Sequence, residues 1–311
     1  MRKKILFWKN GKSKTHHRSI ARHQNFRFTR LLPGPLGTMM MADMGAEVIK
    51  IEDPKNPDYV RNFPPYLNGE SAMYLSFNRS KRSLALDFSS EEGKTIFMEL
   101  VKTADLVIEQ FRPKFLDKFG IGYEAAKKVN PKIIYVSITG YGQTGTYANL
   151  AGHDLNYTAI AGVLGVTGSS PTEAPINAGV QMADIAGGSY MCIIASLSAL
   201  YARNQTGIGQ QVDVSMTDCV MPLLSAVYPL QQTGERGTFP LSGGLPNYGI
   251  YKTADKKFIA LGTLEPKFWA KFCNLVEKPE WAGFILPKNE DELADFKNKI
   301  SELIASQSRS Y

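Results

Sequence analysis

The stretch from Ala151 to Met191 contains the two side chains best suited to proton transfer, His153 and Asp184. His153 is the only histidine beyond residue 23, and Asp184 lies shortly before a pair of glycines. Glycine lets a ligand approach the backbone closely, and an imidazole with a carboxylate is a common pair for general acid–base catalysis. We therefore expect these two residues to carry the chemistry.

Both residues also have an ordinary structural interpretation. Asp184 precedes a long apolar segment, as a helix N-cap does, and the residue pattern alone favours a cap. The two roles are compatible, because a carboxylate at a helix start lies beside backbone N–H groups and stays ionised. A single histidine in an apolar segment is more often a hydrogen-bonded core residue. For His153, the flanking Gly152 and Asp154 and the glycine-rich turn before them favour a functional role.

The composition indicates a globular chain with two domains. It has 311 residues, 43% of them hydrophobic, which is enough for a sizeable core. The longest apolar run, Met191 to Ala202, is too short to span a bilayer, so we expect a soluble body and no membrane partner. The three cysteines are not closely spaced, which argues against a disulfide framework or a zinc site and favours the cytoplasm.

The net charge of +7 comes from one end of the chain. Residues 1–30 contain ten lysines or arginines and no acidic residue, whereas 26 basic and 29 acidic residues follow them. The body is therefore slightly acidic, and we expect no nucleic-acid partner.

Beyond this basic segment, helices and strands alternate. The stretch LLPGPLGTMMMADMGAEVIKIE predicts a turn, a helix and a strand, with Pro35 near the helix start and Gly45 at its end. This alternation predicts an α/β fold with a doubly wound parallel sheet and ligands at the carboxyl ends of the strands. Such a fold also needs a strand before LLPGPLG, but Ala21–Phe28 is a poor strand. The other predicted strands are Asp105–Phe111, Lys132–Ile138 and Gln210–Met216, and the predicted helices are Ser89–Thr103, Tyr123–Val129 and Thr217–Gln231.

The stretch from Gly234 to Pro246 is rich in glycine and proline and predicts a domain boundary. After it, NYGIYKTADKKFIALGTLE predicts two strands joined by a turn at Ala254–Lys256, and helices are expected from Pro266 and from Glu290. The predicted organisation is a disordered basic segment (1–28), a large domain (29–233), a linker (234–247) and a small α+β domain (248–311).

Several motifs in order resemble one enzyme family. The motifs LLPGPLGTMMMADMGAEVIKIEDP, FNRSKRSLALDF, GYGQTG, GHDLNY, DIAGG and LGTLEPKFW look like those of the family III CoA-transferases, specifically the α-methylacyl-CoA racemase branch. The resemblance covers roughly residues 29 to 308. It implies a Rossmann-like large domain, a smaller second domain and an interlocked homodimer. In such a dimer, the active site lies between the large domain of one subunit and the small domain of the other.

The resemblance also implies roles for individual residues. Asp184 matches the family's central carboxylate, His153 matches the histidine of the racemase GHD motif, and Glu265 matches a third residue that pairs with the histidine across the dimer. Alone, Glu265 would be only a first-turn acid. Transferases generally lack the histidine, whereas racemases have both it and the aspartate.

The remaining implied contacts are with CoA. Asn78, Lys81 and Arg82 form a basic loop that would lie against its phosphates, although charge runs are usually solvated surface. Phe111 could lie against the adenine, with Arg112 and Lys118 nearby. Lys118 stands where relatives often have arginine, so it keeps the charge but loses the bidentate fork.

The implied reaction is 1,1-proton transfer at the α-carbon of a 2-methylacyl-CoA thioester, through an enolate. Backbone N–H groups of the Gly140–Gly145 turn or near Gly187 could stabilise the enolate oxygen. CoA is carried as part of the substrate, and no other cofactor or metal is expected. Two alternatives stay open: a CoA-transferase with Asp184 as the nucleophile, and an inactive degenerate fragment.

Both ends of the chain depart from the resemblance. The family's first strand reads like IKILDFTRLLPGP, whereas this chain reads ARHQNFRFTRLLPGP. Permitted codons for Ala21–Arg27, read one nucleotide later, encode QDIKIL, so we expect a frameshift rather than a true basic extension. At the other end the chain stops after a small-domain helix, where relatives return to the large domain. We expect a truncation there, with exposed apolar surface and poor solubility.

Overall fold

The computed structural model describes residues 23–231, 234–284 and 289–310. Its strands, in chain order, are β1 (Gln24–Phe28), β2 (Glu47–Glu52), β3 (Tyr66–Leu67), β4 (Glu70–Ser71), β5 (Arg82–Ala85), β6 (Leu106–Glu109), β7 (Ile134–Thr139), β8 (Gln210–Ser215), β9 (Tyr248–Lys252) and β10 (Phe258–Gly262). Its α-helices are α1 (Pro33–Asp43), α2 (Ala72–Asn78), α3 (Glu91–Val101), α4 (Tyr123–Val129), α5 (Asp154–Ile160), α6 (Met191–Thr206), α7 (Met216–Val220), α8 (Pro266–Leu275) and α9 (Glu290–Ala305).

Six parallel strands form the main sheet, in the order β5-β2-β1-β6-β7-β8. Strands β2 and β5 are added on one side of β1, and strands β6, β7 and β8 are then added on its other side. This is the doubly wound Rossmann order, so the predicted fold class is confirmed. The order reverses between β1 and β6, and ligands of such sheets bind beyond the carboxyl ends at this point.

Strand β1 corrects two of the sequence predictions. Residues up to Phe28 were expected to be disordered and a poor strand, but Gln24–Phe28 pair with β2 on one side and β6 on the other. Phe26 and Phe28 are 2% exposed and belong to the core, so their burial and two sets of ladder hydrogen bonds outweigh the low strand propensity of Asn25 and Arg27. The rest of the predicted basic segment, residues 1–22, lies outside the described residues.

Most predicted helices form where capping signals mark them. Ser90 caps α3 by accepting the N–H of Gly93 at 3.0 Å. The helix predicted over Thr217–Gln231 is wrong, because only α7 forms there and two short 3₁₀ segments follow it. Pro222 and Pro229 lack the N–H that a continuing helix would need.

The chain divides into two compact units. The first contains the described residues up to Asp154 together with Met182–Cys219, and the second contains Leu155–Gln181 and Val220–Tyr311. The chain therefore passes between the units three times, after Asp154, Gln181 and Cys219, rather than once at the expected boundary of 234–247. The reason lies in the second unit, where Arg236 donates to the carbonyls of Ser170 (2.9 Å) and Gly165 (3.1 Å) and so ties the two segments together.

Each unit has its own core. In the first, Phe28 contacts Phe97 and Phe88 edge-on, with centroids 4.9 and 5.3 Å apart. In the second, the predicted β9–β10 hairpin is confirmed as an antiparallel pair, which packs with α8 and α9 around the buried Trp269. The helical stretch Ala183–Thr206 is long and apolar enough to span a membrane, by length and composition alone. It also packs against α1, β7 and β8, as a core helix does.

Candidate active site

Asp184 lies in a π-helix, Ala183–Tyr190, which continues directly into α6. Helices of this kind are rare and are often found at functional sites. The N-cap is Met182 and no side chain caps the helix, so the N-cap interpretation of Asp184 is wrong.

Helix α1 holds the π-helix in place. The Ser189 hydroxyl donates to the carbonyl of Pro33 at 2.8 Å. The backbones approach so closely that a Cβ atom at Gly37 would lie 2.9 Å from the Ser189 carbonyl oxygen. The PGPLG sequence therefore allows α1 to pack directly on the helix that carries Asp184.

Asp154 connects the segments that carry the two predicted catalytic residues. Its Oδ1 accepts the backbone N–H of Asp184 at 3.0 Å, and it follows the exposed His153 directly in sequence. The chain leaves the first unit immediately after Asp154 and re-enters it at Met182. The structure thus brings the segments of His153 and Asp184 together, although about thirty residues separate them in sequence.

Burial, and to a lesser degree the charge of Asp154, raises the pKa of Asp184 to about 7. Burial removes water from the carboxylate, and a neighbouring negative charge disfavours a second one. A carboxyl group with a pKa near neutrality can both accept and return a proton at physiological pH.

The turn after β7 is held by side chains rather than left open. Gly142 N–H donates to Thr139 Oγ1 at 2.9 Å, and Gln143 N–H donates to Asp213 Oδ2 at 2.8 Å. The carbonyl of Gly140 accepts the hydroxyl of Thr217 at 2.7 Å. These two N–H groups are already engaged, so neither of them is a free donor for an enolate oxygen.

A crevice opens at the point where the strand order reverses. The guanidinium carbon of Arg30 lies 6.0 Å from the ring centroid of Phe111, and Arg30 also donates to the carbonyl of Asn56 at 2.7 Å. Phe111 thus lies where the fold predicts a ligand. The residues lining the crevice are Phe28, Thr29, Arg30, Ile51, Glu52, Asp53, Asn56, Asp58, Phe88 and Phe111.

The start of α1 offers few donors to a phosphate, although dinucleotide-binding Rossmann folds use this position. Pro33 and Pro35 have no N–H, and Gly34 N–H donates to Gln110 Oε1 at 3.0 Å. Leu36 N–H is bonded within the chain to the carbonyl of Leu32. The start of α1 therefore provides little backbone binding for a phosphate.

The predicted basic loop divides into inward and outward residues. Asn78, at the end of α2, accepts a hydrogen bond from the buried Arg27. Lys81 Nζ donates to the carbonyls of Pro35 (2.6 Å) and Phe77 (2.7 Å), and burial together with the charge of Arg27 lowers its pKa to about 5. Arg82 is exposed and pairs with Glu47 at 2.8 Å. Of the three, Arg82 is the one presented to solvent.

The other predicted residues are exposed. Arg112 follows Phe111, and Lys118 lies in the 3₁₀ segment Leu116–Phe119 of the first unit. Glu265 is the N-cap residue of α8, in the second unit, and no side-chain capping bond is formed there. Its pairing with His153 stays a prediction.

Sequence reasoning missed Glu109, which supports the crevice from beneath Phe111 without lining it. It ends β6, is 6% exposed, and accepts the N–H of Phe111 at 2.7 Å, so it fixes the loop that lines the crevice. Burial raises its pKa to about 7. A single glutamate at the end of the apolar strand DLVIEQF was the available signal.

Comparison with known proteins decides the family. The sequence model described as CoA-transferase family III matches residues 26–311. The chain belongs to CoA-transferase family III. This family III chain is similar to enzymes with two kinds of reaction, so family membership alone does not determine its own reaction.

The relatives of this family III chain include a racemase and several transferases. It is 34% identical to the alpha-methylacyl-CoA racemase of Homo sapiens over 90% of the chain and 70% of the relative. It is 36% identical to the acetyl-CoA:oxalate CoA-transferase of Acetobacter aceti, over 86% of the chain and 69% of the relative. Against the succinate–glutarate CoA-transferase of Agrobacterium fabrum, the identity is 37%, over 79% and 64%.

A solved structure supports the same fold. The crystal structure of a CAIB/BAIF family protein from Brucella suis superposes with a TM-score of 0.77 at 32% identity. The match covers 93% of this chain and 79% of that one.

Proposed function

We propose that this chain is a racemase of 2-methylacyl-CoA thioesters, acting by 1,1-proton transfer at the α-carbon. The observation that carries the proposal is the hydrogen bond from the Asp184 N–H to Asp154, which holds the residue after His153 against the helix that carries Asp184. Racemisation needs two groups that exchange protons with one carbon, and an imidazole with a carboxyl group of pKa about 7 meets that need. A transferase needs only a nucleophilic carboxylate.

Racemisation exchanges one proton at the α-carbon and leaves the composition of the substrate unchanged. The thioester carbonyl acidifies the α-carbon, one of His153 and Asp184 removes its proton, and an enolate forms. The other residue donates a proton to the opposite face, which inverts the centre. CoA enters and leaves as part of the substrate, and no further cofactor takes part.

The crevice is the proposed site of the CoA nucleotide. Phe111 and Phe88 give it an apolar wall, and Arg30 adds a cation beside that wall. Because the start of α1 has few free donors, the phosphates would rely on such side chains, with Arg112 and Lys118 as further candidates. Arg82 begins β5 and pairs with Glu47 at the start of β2, so its charge lies towards the amino edge of the sheet.

Isotope exchange tests the proposal. Purified protein is incubated with a 2-methylacyl-CoA in deuterium oxide without an acceptor acid, and deuterium at the α-carbon is measured by mass spectrometry. Wash-in supports the racemase. Thioester exchange only when an acceptor acid is present would instead indicate a CoA-transferase, and neither reaction would indicate an inactive chain.

The pH profile should respond to Asp154. Asparagine at this position keeps an oxygen that can accept the Asp184 N–H but removes the negative charge. That charge helps raise the pKa of Asp184, so Asp154→Asn should lower this pKa. Exchange that needs ionised Asp184 rises as pH passes through its pKa, and this limb should move to lower pH in the variant. An unmoved limb, or one moved to higher pH, would contradict this assignment.

Arg112 and Arg82 should differ in their effect on CoA-ester binding. Arg112→Gln removes an exposed charge next to Phe111 and should raise KM about fivefold, or roughly 1 kcal/mol, with kcat nearly preserved. The dependence of KM on salt should also become weaker. Arg82→Gln is the matched comparison: it removes an exposed charge that pairs with Glu47 towards the amino edge of the sheet, and its salt dependence should equal that of the wild type. A weaker salt dependence in Arg82→Gln but not in Arg112→Gln would reverse the two roles.

A further inference from the structure

The side chain of Gln143 presents a hydrogen-bond donor that the protein does not use. Its Nε2 is buried and has no hydrogen-bond partner. Leaving such an atom unpaired costs about 1–3 kcal/mol, so each case calls for an explanation. The other unpaired buried side-chain atoms in the described part of the chain belong to Asn25 and Arg27, inside β1, and to Ser196, inside α6. Gln143 alone among them lies in a loop at the carboxyl edge of the sheet.

The loop that carries Gln143 is rigid. The backbone N–H of Gln143 donates to Asp213, and the N–H of Gly142 donates to Thr139. Gly142 has a φ of +84°, a conformation that glycine adopts at little cost. The side chain is thus projected from a backbone fixed on both sides, as a preorganised donor needs.

The same loop is connected to the helix that carries Asp184. The carbonyl of Gly140 is bound by the N–H and the hydroxyl of Thr217. The preceding residue, Met216, packs on the π-helix, where a Cβ atom at Gly188 would lie 3.1 Å from its sulfur. The adjacent residues Met216 and Thr217 therefore contact the π-helix and the turn, respectively.

We propose that the Gln143 side-chain amide donates a hydrogen bond to the thioester oxygen of the bound acyl-CoA. This inference rests on the proposed function and names the donor that stabilises the enolate. As α-proton removal proceeds, negative charge develops on that oxygen, and a fixed donor binds it more strongly than it binds the neutral carbonyl. The backbone N–H groups of Gly142 and Gln143 are engaged, whereas the Gln143 side-chain amide is not, so it can donate without breaking an existing hydrogen bond.

Gln143→Leu tests the proposal, because leucine has a similar size and no donor. Deuterium wash-in should fall about 10²–10³-fold in kcat, the typical effect of losing one such donor. The thermal midpoint should be unchanged or higher, because a buried unpaired group is removed. Ser196→Ala is the matched control: it removes another unpaired buried atom and should leave kcat unchanged. A loss of kcat below about threefold in Gln143→Leu, or a loss equalled by Ser196→Ala, would overturn the proposal.

A binding comparison separates this inference from the proposed reaction. Kd is measured for an acyl-CoA thioester and for the matching S-alkyl-CoA thioether, which has no carbonyl oxygen. Gln143→Leu should weaken binding of the thioester and leave that of the thioether unchanged. Equal effects on both compounds would overturn the role of Gln143, even if wild-type exchange is present. A wild type that binds the thioester more tightly through Gln143 but shows no exchange would overturn the racemase proposal alone.

Discussion

His153→Ala should reduce interconversion of the two substrate enantiomers by about 10²–10⁴-fold, the usual contribution of one positioned acid or base. Binding of the CoA ester should change little, because His153 is exposed just before α5 and lies outside the residues that line the crevice. The loss should therefore appear in kcat rather than KM. Chiral analysis of an optically pure substrate after incubation, with Kd measured separately, checks both parts.

Asp184→Asn should be comparably damaging if the reaction is racemisation, since either base alone cannot complete inversion. In a transferase Asp184 would be the nucleophile, so its loss would be much the worse of the two. Near-normal interconversion of the enantiomers by His153→Ala would contradict the racemase proposal directly, whereas exchange at one enantiomer alone can be carried out by Asp184.

The stability of Asp184→Asn provides a control for folding. The pKa of Asp184 is raised in the folded state, so its protonated form favours folding below the unfolded value of 3.8, and this contribution is lost as pH rises through about 7. Asparagine carries no charge and escapes that loss. The variant should therefore unfold at higher temperature than the wild type at pH 8, even though it is inactive. A lower midpoint at that pH would mean that the lost activity reflects misfolding.

Where sequence prediction succeeded, the local signals agreed with the tertiary structure. Ser90 and the glutamates after it predicted α3, and the apolar segments became the buried strands β6 and β7. The motif GHDLNY predicted a functional histidine, and the structure placed its segment beside Asp184. These predictions depended on short-range capping and on continuous apolar runs.

The features that sequence missed depend on contacts distant along the chain. The π-helix at Asp184 is stabilised by α1, more than 140 residues earlier, and no local pattern distinguishes it from an α-helix start. The engagement of Gln143 N–H by Asp213 spans 70 residues. The assignment of Leu155–Gln181 to the second unit depends on Arg236, whose partners are backbone carbonyls and carry no sequence signature.

Strand β1 shows the opposite case, in which a central strand forms although its sequence contains polar residues that are unfavourable there. Asn25 is 1% exposed in the middle of the sheet, and neither polar atom of its amide has a partner. A central parallel strand favours β-branched apolar residues. Asn25→Val should therefore raise the free energy of unfolding by about 1–3 kcal/mol, as measured by chemical denaturation. Asn25→Ala is the control, since it removes the amide without filling the space, and it should stabilise less than valine does.

Arg27 raises a related problem of charge. It is fully buried, and burial lowers its pKa to about 10. Lys50 and Arg61 pair with Glu52, and Lys50 also pairs with Asp58 at 2.8 Å. With Lys81 and Arg27 included, this region has four basic residues and two carboxylates, and the charge of Arg27 further lowers the pKa of Lys81.

Arg27→Asp should therefore stabilise the chain, because it replaces a buried cation with an anion and removes the charge that lowers the pKa of Lys81. A buried charge without a partner is costly, and one with an opposite charge nearby is much less so. Arg27→Asn removes the cation without adding an anion and serves as the control. We expect the midpoint of chemical denaturation to rise in the order wild type, Arg27→Asn, Arg27→Asp. If Arg27→Asp is instead less stable than Arg27→Asn, a carboxylate at this position destabilises the fold, and the excess of positive charge does not limit the stability of the sheet.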